Sequence, residues 1–191
     1  MSLFDYTAAQ NTAKLLDKVS AKLGSAKSVT ASCIISTGGN TETALLTMSG
    51  RRFRLQSPGL EIWYDGKTQW VYSEQTNEVT ITEPTAEELA QTNPLAVIDF
   101  FKKNYSETSA TAKNGLSRMI LKAKGNDLEI RTAEITVNNS TLMPSTIDLK
   151  MSNGMKVAIT VSNVKTGTAL SDATFRYDKK FHPGAEVIDL R

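Results

Sequence analysis

Histidine and cysteine are almost missing from this chain: His182 and Cys33 are the only ones in 191 residues. A lone cysteine leaves no disulfide within the chain and no thiolate metal cluster, and says nothing about redox compartment. Zinc sites of the Cys/His₂ or His₃ type are excluded within one chain, and a Ser-His-Asp triad has only His182 to draw on. His182 stands directly before Pro183-Gly184, which predicts an exposed turn histidine rather than a catalytic base. A basic excess is also missing. The formal charge is +2 with no basic block, so electrostatics make no case for a nucleic-acid partner. No apolar run reaches the roughly 18 residues a membrane-spanning helix needs. The chain shows no secretory leader, and Met1-Ser2-Leu3 reads as a cytoplasmic start or as a scar ahead of a processed chain.

What is present is a globular composition, 40% hydrophobic and 22% charged, enough to bury a real core. Its densest signal runs from Arg51 to Pro84. Four short alternating segments, Arg52–Gln56, Leu60–Tyr64, Thr68–Tyr72 and Glu78–Thr82, are separated by Pro58-Gly59, Asp65-Gly66 and Gln75–Asn77. These are hairpin spacings, and Asp-Gly supplies the positive φ that a tight turn needs, so the stretch reads as a β-meander with Asp65 structural. Upstream, apolar residues recur at three- and four-residue spacing from Thr7 to Leu23. That predicts one amphipathic helix, N-capped by Thr7 and ended by Gly24. Strands follow at Ser28–Thr37, where Ile34 breaks the alternation, and Glu42–Ser49, across a Gly38-Gly39-Asn40 turn.

After Pro84 the period lengthens. Thr85–Leu89 reads as a capped helical turn, and Asn93-Pro94 opens a second helix running to Tyr105. Strands resume at Leu116–Ala123, Asp127–Val137, Ser145–Met151, Met155–Ser162 and Ala173–Tyr177, with Asn153-Gly154 the strongest hairpin signal. About nine to eleven antiparallel strands in a single domain, 1–191, must curl into a barrel or near-barrel, and the helices are available to cover its concave face.

Candidate chemistry is sparse. Glu87, Glu88 and Asp99 sit on helical segments as solvated surface carboxylates. The Ser36–Gly39 loop lacks the G-x-x-x-x-G-K pattern of a phosphate cradle. Trp63, Trp70 and Tyr72 read as apolar wall rather than a base-stacking platform, given the absent basic enrichment. No cofactor or metal is expected. Arg51, Arg52 and Arg54 form the one basic concentration. Arg52 and Arg54 alternate with Phe53 and Leu55, as outer-face arginines that keep a barrel soluble would. Arg51, at the strand entry, is placed to reach carbonyls of a covering element and act as a latch.

The run from Phe53 to Pro84, with its hairpin Asp65-Gly66-Lys67-Thr68-Gln69-Trp70-Val71-Tyr72, resembles the periplasmic outer-membrane lipoprotein carrier (LolA) family. The strand Val29-Thr30-Ala31-Ser32, the helix entry Asn93-Pro94 and the ending from Ala173–Tyr177 to Val187-Ile188-Asp189 are similar to the family's as well. The resemblance implies a mainly β, unclosed antiparallel barrel whose apolar concave face is covered by helices. It implies a carrier of lipoprotein acyl chains, not an enzyme, working as a monomer in the periplasm after removal of an export leader. An inner-membrane releasing complex and an outer-membrane acceptor are implied as partners. It also implies an arginine that holds a helical lid shut, for which Arg51 is the closest match and Arg52 the competitor. Rival readings are a lipid-sensing regulatory domain of the same fold and a carrier of free lipids.

Lining residues expected for such a cavity are Val29, Ala31, Cys33, Ile35, Ala44, Leu46, Met48, Phe53, Leu55, Trp70, Tyr72, Val79 and Ile81 from strands. Leu15, Leu16, Val19, Val97, Ile98 and Phe101 would come from helices. Inward side chains read the same in sequence whether they meet one another or a lipid.

Overall fold

The computed structural model describes residues 15–191. The first described element, helix α1 (15–25), buries Leu16, Val19 and Leu23, three positions on one helical face. Thr7 and the rest of its expected start lie outside the described residues. Gly24 does not end the helix. The Ser25 hydroxyl and the Ala26 N–H both donate to the Lys22 carbonyl, at 3.1 and 3.2 Å, so the last turn closes one residue later without a left-handed glycine.

Twelve strands follow in one sheet: β1 (Ser28–Thr37), β2 (Asn40–Ser49), β3 (Arg52–Ser57), β4 (Leu60–Tyr64), β5 (Gln69–Ser73), β6 (Glu78–Thr82), β7 (Tyr105–Lys113), β8 (Leu116–Ala123), β9 (Ile130–Asn138), β10 (Pro144–Met151), β11 (Lys156–Gly167) and β12 (Glu186–Asp189). Their spatial order is β12-β6-β5-β4-β3-β2-β1-β11-β10-β9-β8-β7. The sheet is thus two meanders, β1 to β6 and β7 to β11, joined where β1 pairs with β11. The count exceeds the expected nine to eleven because β7 and β12 were not anticipated. The Leu60–Tyr64 and Glu78–Thr82 strands fall as expected, and Gly38 and Gly39 both take positive φ in the tight β1–β2 turn.

Between β6 and β7 run α2 (Ala86–Thr92), a 3₁₀ turn (Pro94–Val97) and α3 (Ile98–Asn104). Thr85 caps α2 with a full capping box: its hydroxyl accepts the Glu88 N–H, and its own N–H donates to Glu88 Oε2 at 2.7 Å. The helix expected from Pro94 to Tyr105 is therefore split, and it stops at Asn104 because Tyr105 already pairs with Ala123 as the first residue of β7.

This connection decides the shape. β6 and β7 are near opposite ends of the strand order, so a flat sheet would separate them by roughly 48 Å at 4.8 Å per strand. Short helices rising 1.5 Å per residue, with bends between them, fall short of that span. The sheet therefore curls into an unclosed barrel, with the connecting helices across its concave side. Leu89, Ala90, Ala96, Ile98 and Phe101 from these helices join strand residues and α1 in one buried cluster.

The carboxyl-terminal segment departs from expectation. Ala173–Tyr177 is not a strand, since Asp172–Phe175 forms a 3₁₀ turn instead. The chain then crosses the convex face to β12, which lies parallel to β6, so the otherwise antiparallel sheet carries one parallel edge pair.

Candidate functional site

Alternation along each strand and direct pairing across strands assign every side chain to a face. Leu55 opposes Ile62, Ile62 opposes Val71, and Val71 opposes Thr80. This row faces the helices. Val29, Ala31, Cys33, Ala44, Leu46, Met48, Phe53 and Leu55 are buried on the same side, with Ile35 partly buried against them. From the helices Leu16, Val19, Ile98 and Phe101 meet them, and Leu15 packs at the edge. The side chain of Val97 lies outside the described ones.

Trp70, Tyr72, Val79 and Ile81 do not join this lining. Trp63 opposes Trp70, which opposes Ile81, in the row that starts at Arg54, and Glu61 opposes Tyr72, which opposes Val79, in the row that starts at Gln56; both rows lie on the convex face. The cause is the Asp65–Thr68 loop. Asp65 Oδ1 accepts the N–H groups of Lys67 and Thr68 at 3.0 and 2.9 Å, and the Asp65 N–H donates to the Thr68 carbonyl at 3.1 Å. That sets Tyr64 opposite Gln69 and turns the tryptophan outward. Asp65 is structural, as expected.

On the convex face the carboxyl-terminal segment covers these aromatics. Trp63, fully buried, stacks with Phe181 at 5.9 Å between ring centroids and meets Tyr177 edge-on at 5.4 Å. His182 stacks on Tyr72 at 3.5 Å and lies 3.4 Å from a Glu61 carboxylate oxygen, so it is not the exposed turn histidine the sequence suggested. That approach lacks hydrogen-bond alignment, and His182 Nε2 is buried without a hydrogen-bond partner. Arg54 pairs with Glu61 and lies over both Trp63 and Phe181, at 5.4 and 5.2 Å. Arg52 pairs with Asp172 and covers the buried Phe175 at 4.9 Å. These two arginines fasten the carboxyl-terminal segment rather than simply solvating the barrel.

Arg51 lies elsewhere. It is exposed, makes no hydrogen bond or ion pair among the described residues, and lines an opening against α1 and α3. Its guanidinium is close enough to Tyr64 to oppose the upward push that burial exerts on that phenol.

The helices pack directly onto the covered face. Among the described residues a void of about 20 Å³ lies between them, lined by Cys33, Ile35, Leu46, Leu55, Thr92, Asn93, Leu95, Ile147, Ile159 and Val161, room for about one water. Burial pushes the Cys33 thiol up, which leaves it a small apolar wall group rather than a nucleophile. Asn93, 3% exposed, brings an amide nitrogen without a hydrogen-bond partner to this void.

Polar clasps hold the helices over that face. Lys102 on α3 pairs with Asp17 on α1 at 2.6 Å, and the Ser20 hydroxyl donates to Asp99 at 3.3 Å. The Glu129 N–H donates to Glu87 on α2 at 2.5 Å, tying α2 to the second meander. Sequence reasoning missed Lys102, Asp17 and Asn93. The charge at 17 and 102 was visible, but which helices would meet was not. Asp99 is an exposed carboxylate, as read, whereas Glu87 is half-buried; both hold the helical layer to its neighbours.

Among the described residues no group of His, Cys, Asp and Glu has the arrangement to hold a metal ion, and no helix is long and apolar enough to cross a membrane. The sequence profile of the family described as outer membrane lipoprotein carrier protein LolA matches residues 1–155. No curated protein sequence matches the chain. Solved structures share the fold at low identity. A conserved protein from Thermus thermophilus aligns with a TM-score of 0.62 and 16% identity, over 94% of this chain and 99% of that one. A protein from Desulfovibrio piger aligns at 0.53 and 14%, over 89% and 98%. A protein from Vibrio parahaemolyticus, described as an outer membrane lipoprotein-sorting domain, aligns at 0.52 and 10%, over 88% and 97%.

Proposed function

Because the chain belongs to the outer membrane lipoprotein carrier protein LolA family, we propose that it is a non-catalytic carrier that shelters acyl chains beneath its helices and takes them through the periplasm toward the outer membrane. One observation carries this reading: a continuous apolar face lies under a separate helical layer pinned at its surface by a few polar clasps.

Reversibility follows from what fills the face. Each methylene taken from water is worth roughly 0.8 kcal/mol, so an acyl chain has a strong drive to enter. A void of about 20 Å³ admits none of it while the helices stay down. Cargo must displace Leu16, Val19, Ile98, Phe101 and their neighbours from their own burial, and that loss offsets much of the gain. When the helices close again they compete with the cargo for the same surface, which favours release. Mono- and diacylated peptides would be the ligands; a releasing complex and an acceptor would supply and receive them.

The test is saturable binding of a fluorescent acylated peptide to the full chain, with mass spectrometry of lipid co-purified from a periplasmic extract. We expect near-stoichiometric binding that an unacylated peptide of the same sequence does not compete. Absence of saturable binding would overturn the carrier reading.

A further inference from the structure

A pocket of about 510 Å³ opens between α1, α3 and the Gly50-Arg51 turn. Leu23, Leu95, Ile98 and Phe100 give it apolar walls, and Arg51, Lys103 and Asp99 bring charge to it. Asp99 is already compensated, because it accepts the Ser20 hydroxyl at 3.3 Å and lies 3.6 Å from the Lys102 ammonium. The side chains of Arg51 and Lys103 have no acidic partner among the described residues. The pocket therefore combines an apolar wall with two uncommitted cations. Leu95 also lines the interior void, so one residue is shared by the surface pocket and the space under the lid.

We propose that this pocket seats the anionic head of an acyl amphiphile, a carboxylate or phosphate held by Arg51 and Lys103, while its chain passes Leu95 into the covered face. The inference rests on the carrier reading and adds to it a ligand class. An uncharged acyl cargo needs only the apolar walls; an anionic one gains from both cations as well. Guanidinium and ammonium groups at a partly screened site together change affinity by on the order of tenfold.

The test compares decanoic acid, its uncharged glycerol monoester and inorganic phosphate as competitors of the same fluorescent acyl probe on the full chain. We expect the acid to compete at about tenfold lower concentration than the ester, and the preference to shrink in about 0.5 M salt, where the screening length falls well below 10 Å. In the double variant Arg51→Gln, Lys103→Gln the acid-to-ester ratio should fall to about one, while Lys103→Arg retains it. The ratio is read because a loosened lid would move both ligands together. Equal competition by acid and ester in the parent chain, or an unchanged ratio in the double variant, overturns the inference and leaves the carrier reading standing. Phosphate competing as well as the acid marks a site for free anions and also overturns it. Failure of both acyl competitors and of the probe itself overturns the carrier reading.

Discussion

Asn93 occupies a costly position. Its backbone joins α2 to the 3₁₀ turn, with the N–H donating to Leu89 and the carbonyl accepting from Ala96. Its side-chain nitrogen is left buried and unpartnered. A desolvated amide donor costs about 1–3 kcal/mol, so Asn93→Leu should raise the unfolding free energy by about 1 kcal/mol in urea titration. A loss of stability would mean the amide is already satisfied, by a water in the adjacent void. Tyr105 gives a pH-dependent counterpart. Its hydroxyl donates to the Ile130 carbonyl at 2.7 Å, and burial together with the Glu87 carboxylate, against an opposing Arg131, pushes its phenol up to about 12. The folded value lies above the ordinary one near 10, so the native state binds this proton more tightly. Its contribution is complete below about pH 10 and lost as pH rises toward 12. Tyr105→Phe should lower stability at neutral pH by about 1–2 kcal/mol, by orphaning the carbonyl. It should also flatten the alkaline decline. An unaltered decline would show that other tyrosines dominate it.

At the scale of elements, the question is which arginine holds what. Arg52 reaches the 3₁₀ turn at Asp172–Phe175 on the convex side, whereas Arg51 faces the helices. Asp172 is largely exposed, so the ion pair itself contributes little, about 0–1 kcal/mol; the buried Phe175 beneath it contributes far more. Phe175→Ala should cost about 3–5 kcal/mol in unfolding and Arg52→Ala about 1 kcal/mol. Neither should change the affinity for an acyl probe by more than about twofold. A large change in probe binding by Arg52→Ala would return it to the lid. A lid made of short helices is suited to movement. Its α2 and α3 are seven residues each, too short to persist alone, and they take their order from the face they cover.

Across the whole molecule, uptake of cargo requires the helices to separate from the sheet. Joining α1 to α3 through Asp17→Cys and Lys102→Cys with a short bis-thiol-reactive cross-linker, in a Cys33→Ala background, should give a cross-linked protein that cannot take up an acyl probe and an unlinked one that can. Equal uptake in both states would show that the helices need not separate.

How much of this was legible in the sequence can be traced through particular residues. The meander from Arg52 to Thr82 was readable because Gly59, Gly66 and the alternating apolar residues carry local information, and the capping box at Thr85 and Glu88 is a local signal too. β7 was hidden because Ser106 to Lys113 is a polar run at a sheet edge whose only apolar residues are Ala110 and Ala112. The faces of Trp70, Tyr72, Val79 and Ile81 were unreadable, since a one-residue change in register exchanges inside for outside and the register was set by the Asp65–Thr68 loop.

Read along the chain, the residues specify a mainly β protein led by one amphipathic helix and interrupted by short ones, of the lipoprotein carrier family, with one histidine and one cysteine. That the helices pack directly onto the concave face was settled by folding. Only then did Lys102 find Asp17, Arg52 turn to the carboxyl-terminal segment, and Arg51 and Lys103 line one pocket. The reason is separation along the chain: periodicity and turn chemistry act over a few residues, whereas these contacts join groups that become neighbours only after the sheet has curled.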